Sequence, residues 1–305
     1  QGSLNISSSA FDSNNARFGG AILNRGTLIV SHSIFSNNQA TGTANALGVG
    51  GASFSAGSST ISNSTFSGNS AFSGNFGPVG NSDAGGAIFS AGSSTVSNST
   101  FSGNSATNGG AIENRDQLTL SNSILANSTS GGDCVNFGGT ITFLGQNLIE
   151  DGSCDADTNG QLTGDPMLGP LQDNGGPTQT FALLTGSPAI NAGNNTFLSE
   201  NAFTPSVDFD GDGLTTGSLT TDQRGTGFRR VLAGTVDLGA FEVDVCQGFT
   251  FPVNVSTEAD LNQAIDCYNQ QTVSATYTIN VTGNITLSAN TTTIDNSTAG
   301  IKLAI

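Results

Sequence analysis

Residues 54–71 read FSAGSSTISNSTFSGNSA and residues 89–106 read FSAGSSTVSNSTFSGNSA, so the two stretches differ only at Ile61 and Val96. A Gly-Gly-Ala word stands just ahead of each, at Gly50-Gly51-Ala52 and Gly85-Gly86-Ala87. The same word occurs at Gly19-Gly20-Ala21 and Gly109-Gly110-Ala111. Sixteen residues after the first glycine of each copy comes a large apolar residue: Phe35, Phe66, Phe101 or Leu125. The return to the next glycine pair varies, being 8 residues from Phe11, 15 from Phe35, 19 from Phe66 and 8 from Phe101. One part of the repeat is rigid and the other accepts insertions at a single place. A solenoid turn behaves this way, because stacked strands fix one length while a surface loop absorbs the rest.

Aligned on the glycine pairs, the copies form columns. Val30, Ile61, Val96 and Leu120 make one apolar column, and Phe35, Phe66, Phe101 and Leu125 another, which Phe11 joins. Three residues beyond each Phe is an asparagine, giving Asn14, Asn38, Asn69 and Asn104. Parallel strands repeat every ~4.8 Å, so identical side chains are expected to lie above one another. Stacked Phe rings then fill the interior, and stacked Asn amides bond along the coil axis. A helical reading fails: Ser, Thr, Asn and Gly are poor helix formers, and the apolar spacing is 2 rather than 3.6. Gly pairs supply the positive-φ bends that a coil requires.

Composition narrows the function classes. The 305 residues include 42 Gly and 19 Phe, with 10% charged residues and a formal net charge of −16. Seven basic residues cannot make a phosphate-tracking stripe, which argues against nucleic acid as a partner. No apolar run approaches the ~18 residues of a membrane span, so none is expected. Of the 23 acids, 15 fall between Asp133 and Asp244, whereas the first 132 residues are nearly neutral. That step suggests three parts: coils over 1–132, an acidic module over 133–245, and a further segment over 246–305. Four cysteines form two local pairs, Cys134 with Cys154 and Cys246 with Cys267, without metal-site spacing. Two disulfides in an oxidising, extracellular or cell-surface setting are the expectation. Gln1, with no initiator Met or signal peptide, reads as the start of a mature or excised segment.

These words carry a family resemblance. Phe18-Gly19-Gly20-Ala21-Ile22 and Phe35-Ser36-Asn37-Asn38 resemble polymorphic outer-membrane-protein repeats. Residues 146–193, with 222–242 (DQRGTGFRRVLAGTVDLGAFE), look like the choice-of-anchor module that follows such repeats in bacterial surface proteins. The resemblance covers roughly residues 10–245. It implies an all-β fold, a right-handed parallel β-helix with inserted loops, in secreted or surface-anchored, often adhesin-like proteins. No single activity goes with that family. Residues 256–266 read as a short capped helix, with Thr257 at the N-cap and Asp260 at the third helical position. A similar helix, in a CSLREAI-type word, opens the β-helix in the family. Here it follows the anchor module and precedes strand-like runs at 277–281, 285–287 and 301–305. The order looks permuted, and the expectation is that the last strands pair with the first coil of a neighbouring copy, head to tail. One unit of a tandem protein is the alternative.

Candidate chemistry is sparse. Asp208, Asp210 and Asp212 followed by Gly213 match the first half of a calcium loop. Leu219 stands where the closing Glu is expected, so Asp222 is the substitute ligand. Asp155, Asp157 and Asn159 repeat the spacing, with Pro166 at the closing position. A calcium site and a solvated acidic turn remain open for both. His32, the only histidine, falls in a column with Asn63, Asn98 and Asn122 and is expected to be an exposed member of a polar stack. Arg224 is expected to pair with Asp237 or Glu242. No catalytic residue is assigned, because no Ser-His-Asp set exists and no carboxylate pair stands on the repeated face. Sequons are frequent in so Asn-, Ser- and Thr-rich a chain, and most read as polar stacks. Asn5, Asn280, Asn284 and Asn290 are the glycosylation candidates. The expected function is a structural or adhesive extracellular scaffold, with copies of itself as partner. Surface glycans held by loops 39–49 and 72–84 come second, and a polysaccharide enzyme third.

Overall fold

A computed structural model describes the chain except residues 1, 44–45, 74–82, 157, 210–211, 233, 245, 247–248, 270, 272, 288–293, 295, 297–298 and 300. Among the described residues strands dominate the regular structure, with one α-helix and two short 3₁₀ turns. Two compact units are present: Gln1–Arg230 with Val236–Glu242, and Val231–Thr235 with Val243–Ile305.

In the first unit the chain visits four sheets in rotation. Ser3–Ser7, Ala10–Asp12, Asn15–Ala16 and Ile22–Asn24 open one sheet each, and the next strand, Thr27–Ser31, lies beside the first. The first sheet runs on through Ser58–Ser62, Ser93–Ser97, Gln117–Ser121 and Thr140–Leu144. Every pairing in these four sheets is parallel and in register, for example Val30 with Ile61, Ile61 with Val96 and Val96 with Leu120. The strands on either side of residue 132 belong to the same sheets, since Cys134–Asn136 pairs with Ile112–Asn114.

Register turns the sequence columns into contacts. Phe11, Phe35, Phe66 and Phe101 stack with centroids 4.8, 4.8 and 4.6 Å apart and rings within 4° of parallel. Leu125 and then Ile149 continue the column. With Val30, Ile61, Val96 and Leu120 these residues form one buried core. The Asn column is a ladder: the Asn14, Asn38 and Asn69 amides donate to the next Oδ1 at 2.9, 2.9 and 3.0 Å. A second ladder comes from serines. Ser9 N–H donates to Ser33 Oγ, Ser33 N–H to Ser64 Oγ, Ser64 N–H to Ser99 Oγ and Ser99 N–H to Ser123 Oγ, at 3.1–3.2 Å.

The glycine pairs do two different things. Gly19, Gly50, Gly85 and Gly109 have φ between +59° and +70°, which L-residues with a Cβ resist. Their partners do not; a Cβ on Gly51 would sit 1.9 Å from the Gly86 carbonyl oxygen of the adjacent coil. Gly131-Gly132 continues the series, because Gly109 and Gly110 donate to their carbonyls at 2.9 and 2.6 Å. A disulfide joins Cys134 and Cys154 with Cα atoms 5.4 Å apart, and Ala156 beyond it is fully buried against the core.

The described residues of 166–230 and 236–242 are mostly irregular, with one antiparallel strand pair, Leu168–Gln172 and Thr180–Leu183. This segment covers the turn that holds His32, Asn63, Asn98 and Asn122, all at φ of +43° to +51°. Asn and His tolerate the left-handed region better than most residues. The three asparagines are fully buried, which corrects the expected exposed stack. Asn63 Nδ2 donates to the Thr221 carbonyl at 2.8 Å, Asn98 Oδ1 accepts from Arg230 at 3.2 Å, and Asn122 bonds the backbone of Asn194 in both directions. His32 is half-buried, with Nε2 3.3 Å from Asn63 Nδ2 and 3.4 Å from Thr221 Oγ1.

In the second unit, Val253–Val255, Thr276–Val281 and Lys302–Ala304 form a parallel sheet in that order. Residues 285–287, expected as strand, form none. The helix Glu258–Asn269 packs Ala264 and Ile265 against Val255 and Ile279. Thr257 Oγ1 caps the Asp260 N–H at 3.1 Å while Asp260 Oδ2 accepts from Thr257 N–H at 3.2 Å, a reciprocal capping box. Cys246 and Cys267 form the second disulfide.

Candidate functional site

The expected calcium ligands divide. Asp157 and Asp210 lie outside the described residues, as does Asn290. Asp208 Oδ2 accepts from Gly213 N–H at 3.0 Å and Asp212 Oδ1 from Leu214 N–H at 2.7 Å, so both carboxylates hold the turn's own backbone. Asp155 enters its turn through its carbonyl, which accepts from the backbone and side chain of Asn159. Asp222 is no ligand candidate: it is fully buried and holds Arg224 through Nε and Nη2 at 2.9 and 2.6 Å. Asp222 is thus the bonded carboxylate partner of Arg224, where the expectation had named Asp237 or Glu242; the Glu242 carbonyl oxygen also accepts from Arg224 at 2.6 Å. Among the described residues no group of three or more His, Cys, Asp or Glu side chains converges to hold an ion.

Arg224 is buried and lies 4.0 Å from the Phe228 ring centroid and 3.9 Å from that of Phe241. Arg230 is fully buried and donates to the carbonyls of Asp237 and Gly239. These side chains lock residues 220–230 and 236–242 onto the stacked strands, because Gln223 also accepts from Thr65 Oγ1 at 2.6 Å and Ala240 N–H donates to Thr100 Oγ1 at 2.9 Å. Asn63 and Asn98, both sequons, are too buried to carry a glycan, whereas Asn5, Asn280 and Asn284 are exposed.

Two surface features remain. One is a groove of about 600 Å³ over the outer face of the first sheet. Its floor holds two hydroxyl-rich columns, Thr60, Thr95, Thr119 and Thr142 beside Ser58, Ser93, Gln117 and Thr140. Neighbours in a column are ~4.8 Å apart. Among the described residues no charged side chain stands on this floor, and Asp208, in the wall, is the one acid lining the groove. The wall is built by residues 202–208. Buried Glu200 holds it by accepting from Phe209 N–H at 2.7 Å and Gly217 N–H at 2.6 Å, and Ser62 Oγ ties it to the sheet through the Phe209 carbonyl at 3.1 Å.

The other feature is the first coil. Ser3–Ser7, Ala10–Asp12, Asn15–Ala16 and Ile22–Asn24 are each the outermost strand of their sheet. Their outer backbone groups pair with no described strand, and Leu4 and Leu23 are 52% and 46% exposed. The opposite end of the stack is different: there the Cys134–Cys154 loop lays Ala156 over the core. An edge with open ladder groups and apolar side chains is a template for further strands.

A buried carboxylate marks the covered end. Asp133 is 2% exposed; its oxygens accept from the Ser128 and Asp151 N–H groups, and its own N–H donates to Asp151 Oδ2 at 3.0 Å. Burial pushes its carboxyl up to about 6, against the hydrogen bonds it accepts. Neither the serine ladder nor the Gly131-Gly132 coil was singled out from the sequence. The recurring Ser-Asn-Ser word at 62–64 and 97–99 carried the first signal, and the glycine pair carried the second. No family model, curated protein or solved structure matches the chain.

Proposed function

We propose that the chain is a structural segment of an extracellular or cell-surface fibre: a right-handed parallel β-helix that stacks head to tail with copies of itself. The observation that supports this is the in-register parallel stack, whose first four strands each pair with a described strand on one side only. A contact that joins one end of a protomer to a different end of the next does not close on itself and gives filaments. Two disulfides fit an oxidising compartment. Among the described residues no helix is long and apolar enough to cross a membrane. The resemblance to polymorphic outer-membrane-protein and choice-of-anchor surface proteins points the same way. The test is electron microscopy with light scattering of the purified chain across a concentration series. Filaments with a repeat set by one protomer support the proposal; uniform monomers at high concentration overturn it.

The groove favours a second reading, an adhesin segment that holds a neutral, hydroxyl-rich glycan along the threonine columns. Replacing Thr95 and Thr119 with Val removes the floor hydroxyls while keeping the shape. Loss of retention on neutral polysaccharide beads by that variant supports this reading. Equal retention of both proteins, or of neither, removes it.

A further inference from the structure

Away from the groove, the turn that leaves the fourth sheet brings cations and rings together. The N–H groups of Ala56, Ala91, Arg115 and Phe137 donate to the carbonyls of Asn24, Ser55, Ser90 and Asn114. The in-register strands therefore continue into a column that reads Arg25, Ala56, Ala91, Arg115, Phe137. Neighbours in it are ~4.8 Å apart, so Arg25 and Arg115 lie ~14 Å apart along the stack, with two small residues between them. Both arginines are exposed.

Arg115 is held from three sides. Its Nε donates to Glu113 Oε1 at 2.6 Å, and Glu113 is fully buried. Its guanidinium carbon lies 5.1 Å from the Phe89 ring centroid and 4.9 Å from that of Phe137, a planar cation beside two rings. Glu113 Oε2 is buried without a partner, so among the described residues the carboxylate serves Arg115 alone. Nothing described accepts from Nη1 or Nη2, and Asp116, next in the chain, forms no ion pair with Arg115. The side chain is 41% exposed. A guanidinium fixed at Nε and open at its other two nitrogens is a preorganised fork, the shape that takes both oxygens of a carboxylate. Local charge permits this. Residues 1–132 hold Arg17, Arg25 and Arg115 against Asp12, Asp83, Glu113 and Asp116, so most of the net charge of −16 lies elsewhere in the chain. Phe137, beside the fork, is 64% exposed. In a uronic acid the carboxylate is attached directly to a ring with a flat C–H face. Such a sugar meets the cation and the exposed ring at once, whereas an Asp or Glu side chain offers a carboxylate with no such face.

We infer that this column binds a linear acidic polysaccharide, with Arg115 gripping a uronate carboxylate through Nη1 and Nη2, Phe137 stacking on a sugar ring, and Arg25 meeting a second carboxylate further along the same chain. The site is independent of filament formation and of the groove. Titration calorimetry of the whole chain compares an oligomer of galacturonate, the same oligomer fully methyl-esterified, and oligo-glutamate, at 0.1 M salt, where the Debye length is ~10 Å. The galacturonate oligomer should bind, and the other two should bind about tenfold more weakly or less. Arg115→Lys keeps the charge but loses the fork, and should weaken binding about tenfold. Phe137→Ala leaves the Glu113–Arg115 pair in place, and Arg25→Gln touches no described partner; each should weaken binding about threefold at unchanged melting temperature. No binding of the galacturonate oligomer, equal binding of its ester, or wild-type affinity in Arg115→Lys or Phe137→Ala overturns the site. Equal binding of oligo-glutamate overturns the sugar as its ligand, and wild-type affinity in Arg25→Gln overturns the extended track. Filaments, or their absence, leave each of these outcomes readable.

Discussion

Replacing Asn69 with Ala tests whether the asparagine ladder is a structural element or a by-product of repetition. Asn69 is fully buried and uses all four hydrogen-bonding positions of its amide. Its Oδ1 accepts from the Asn38 N–H at 3.0 Å and the Asn38 amide at 2.9 Å; its Nδ2 donates to the Phe35 carbonyl at 2.9 Å and Asn104 Oδ1 at 3.0 Å. Asn104 Oδ1 would keep the Asn69 N–H, which survives the substitution. Two donors lose their partner, the Asn38 N–H and one Asn38 amide hydrogen, while the Phe35 carbonyl loses its side-chain donor and keeps its place in the parallel ladder. At ~1–3 kcal/mol for each buried orphan, and with some relaxation, Asn69→Ala should cost about 4 kcal/mol. Asn14 occupies the same column but is exposed and has only Asn38 below it. Its replacement by Ala should cost under ~1 kcal/mol. Guanidinium unfolding followed by circular dichroism reads both values from the midpoint at unchanged slope. Equal costs at the two positions, or a cost under ~1 kcal/mol at Asn69, would refute the ladder as the source of this stability.

Three further outcomes are expected. Asp133 titrates near 6 when folded, above its ordinary 3.8, so the folded state binds the proton more tightly. The stability it contributes is full below about 3.8 and lost as pH rises through about 6, by about 2 kcal/mol after solvent screening. Thermal melts of Asp133→Asn should show a flatter profile between pH 4 and 7.5 than wild type; an unchanged profile rejects the assignment. Removing the Cys134–Cys154 bridge as the double Ser variant should cost about 3 kcal/mol for a 20-residue separation, read by chemical unfolding. Gly51→Ala should prevent folding or cost more than about 3 kcal/mol, because its Cβ meets a carbonyl at 1.9 Å. Gly103→Ala, with φ of +72° but nothing nearer than 3.9 Å, should cost only about 1–2 kcal/mol; soluble expression and melting temperature compare them.

The stacked parallel strands were legible because a parallel register maps sequence spacing directly onto contact. Phe35, Phe66 and Phe101 had to meet once their strands paired, and so did Asn38, Asn69 and Asn104. The overlay of residues 166–242 has no repeat, so nothing in its spacing says which coil it touches. Arg224 illustrates the limit. Asp222, Asp237 and Glu242 are all near it in sequence, and only the buried turn at Asp222-Gln223-Arg224 selects the first. The polar turn column was misread for a related reason. His32, Asn63, Asn98 and Asn122 look solvent-facing as a pattern, yet a distant segment buries three of them. The serine ladder was hidden because a serine bonded within the coil and a serine facing water look alike in sequence.

The near identity of residues 54–71 and 89–106 has a cost for folding. Inside the coil stack, a copy displaced by one turn would find almost the same rings, amides and hydroxyls waiting for it. Such a ladder specifies spacing but not address. The address comes from the overlay: Asn63 answers to Thr221, Asn98 to Arg230 and Asn122 to Asn194, each a partner that occurs once. The least regular part of the molecule thus acts as its index, making one alignment of interchangeable turns lower in energy than the shifted ones.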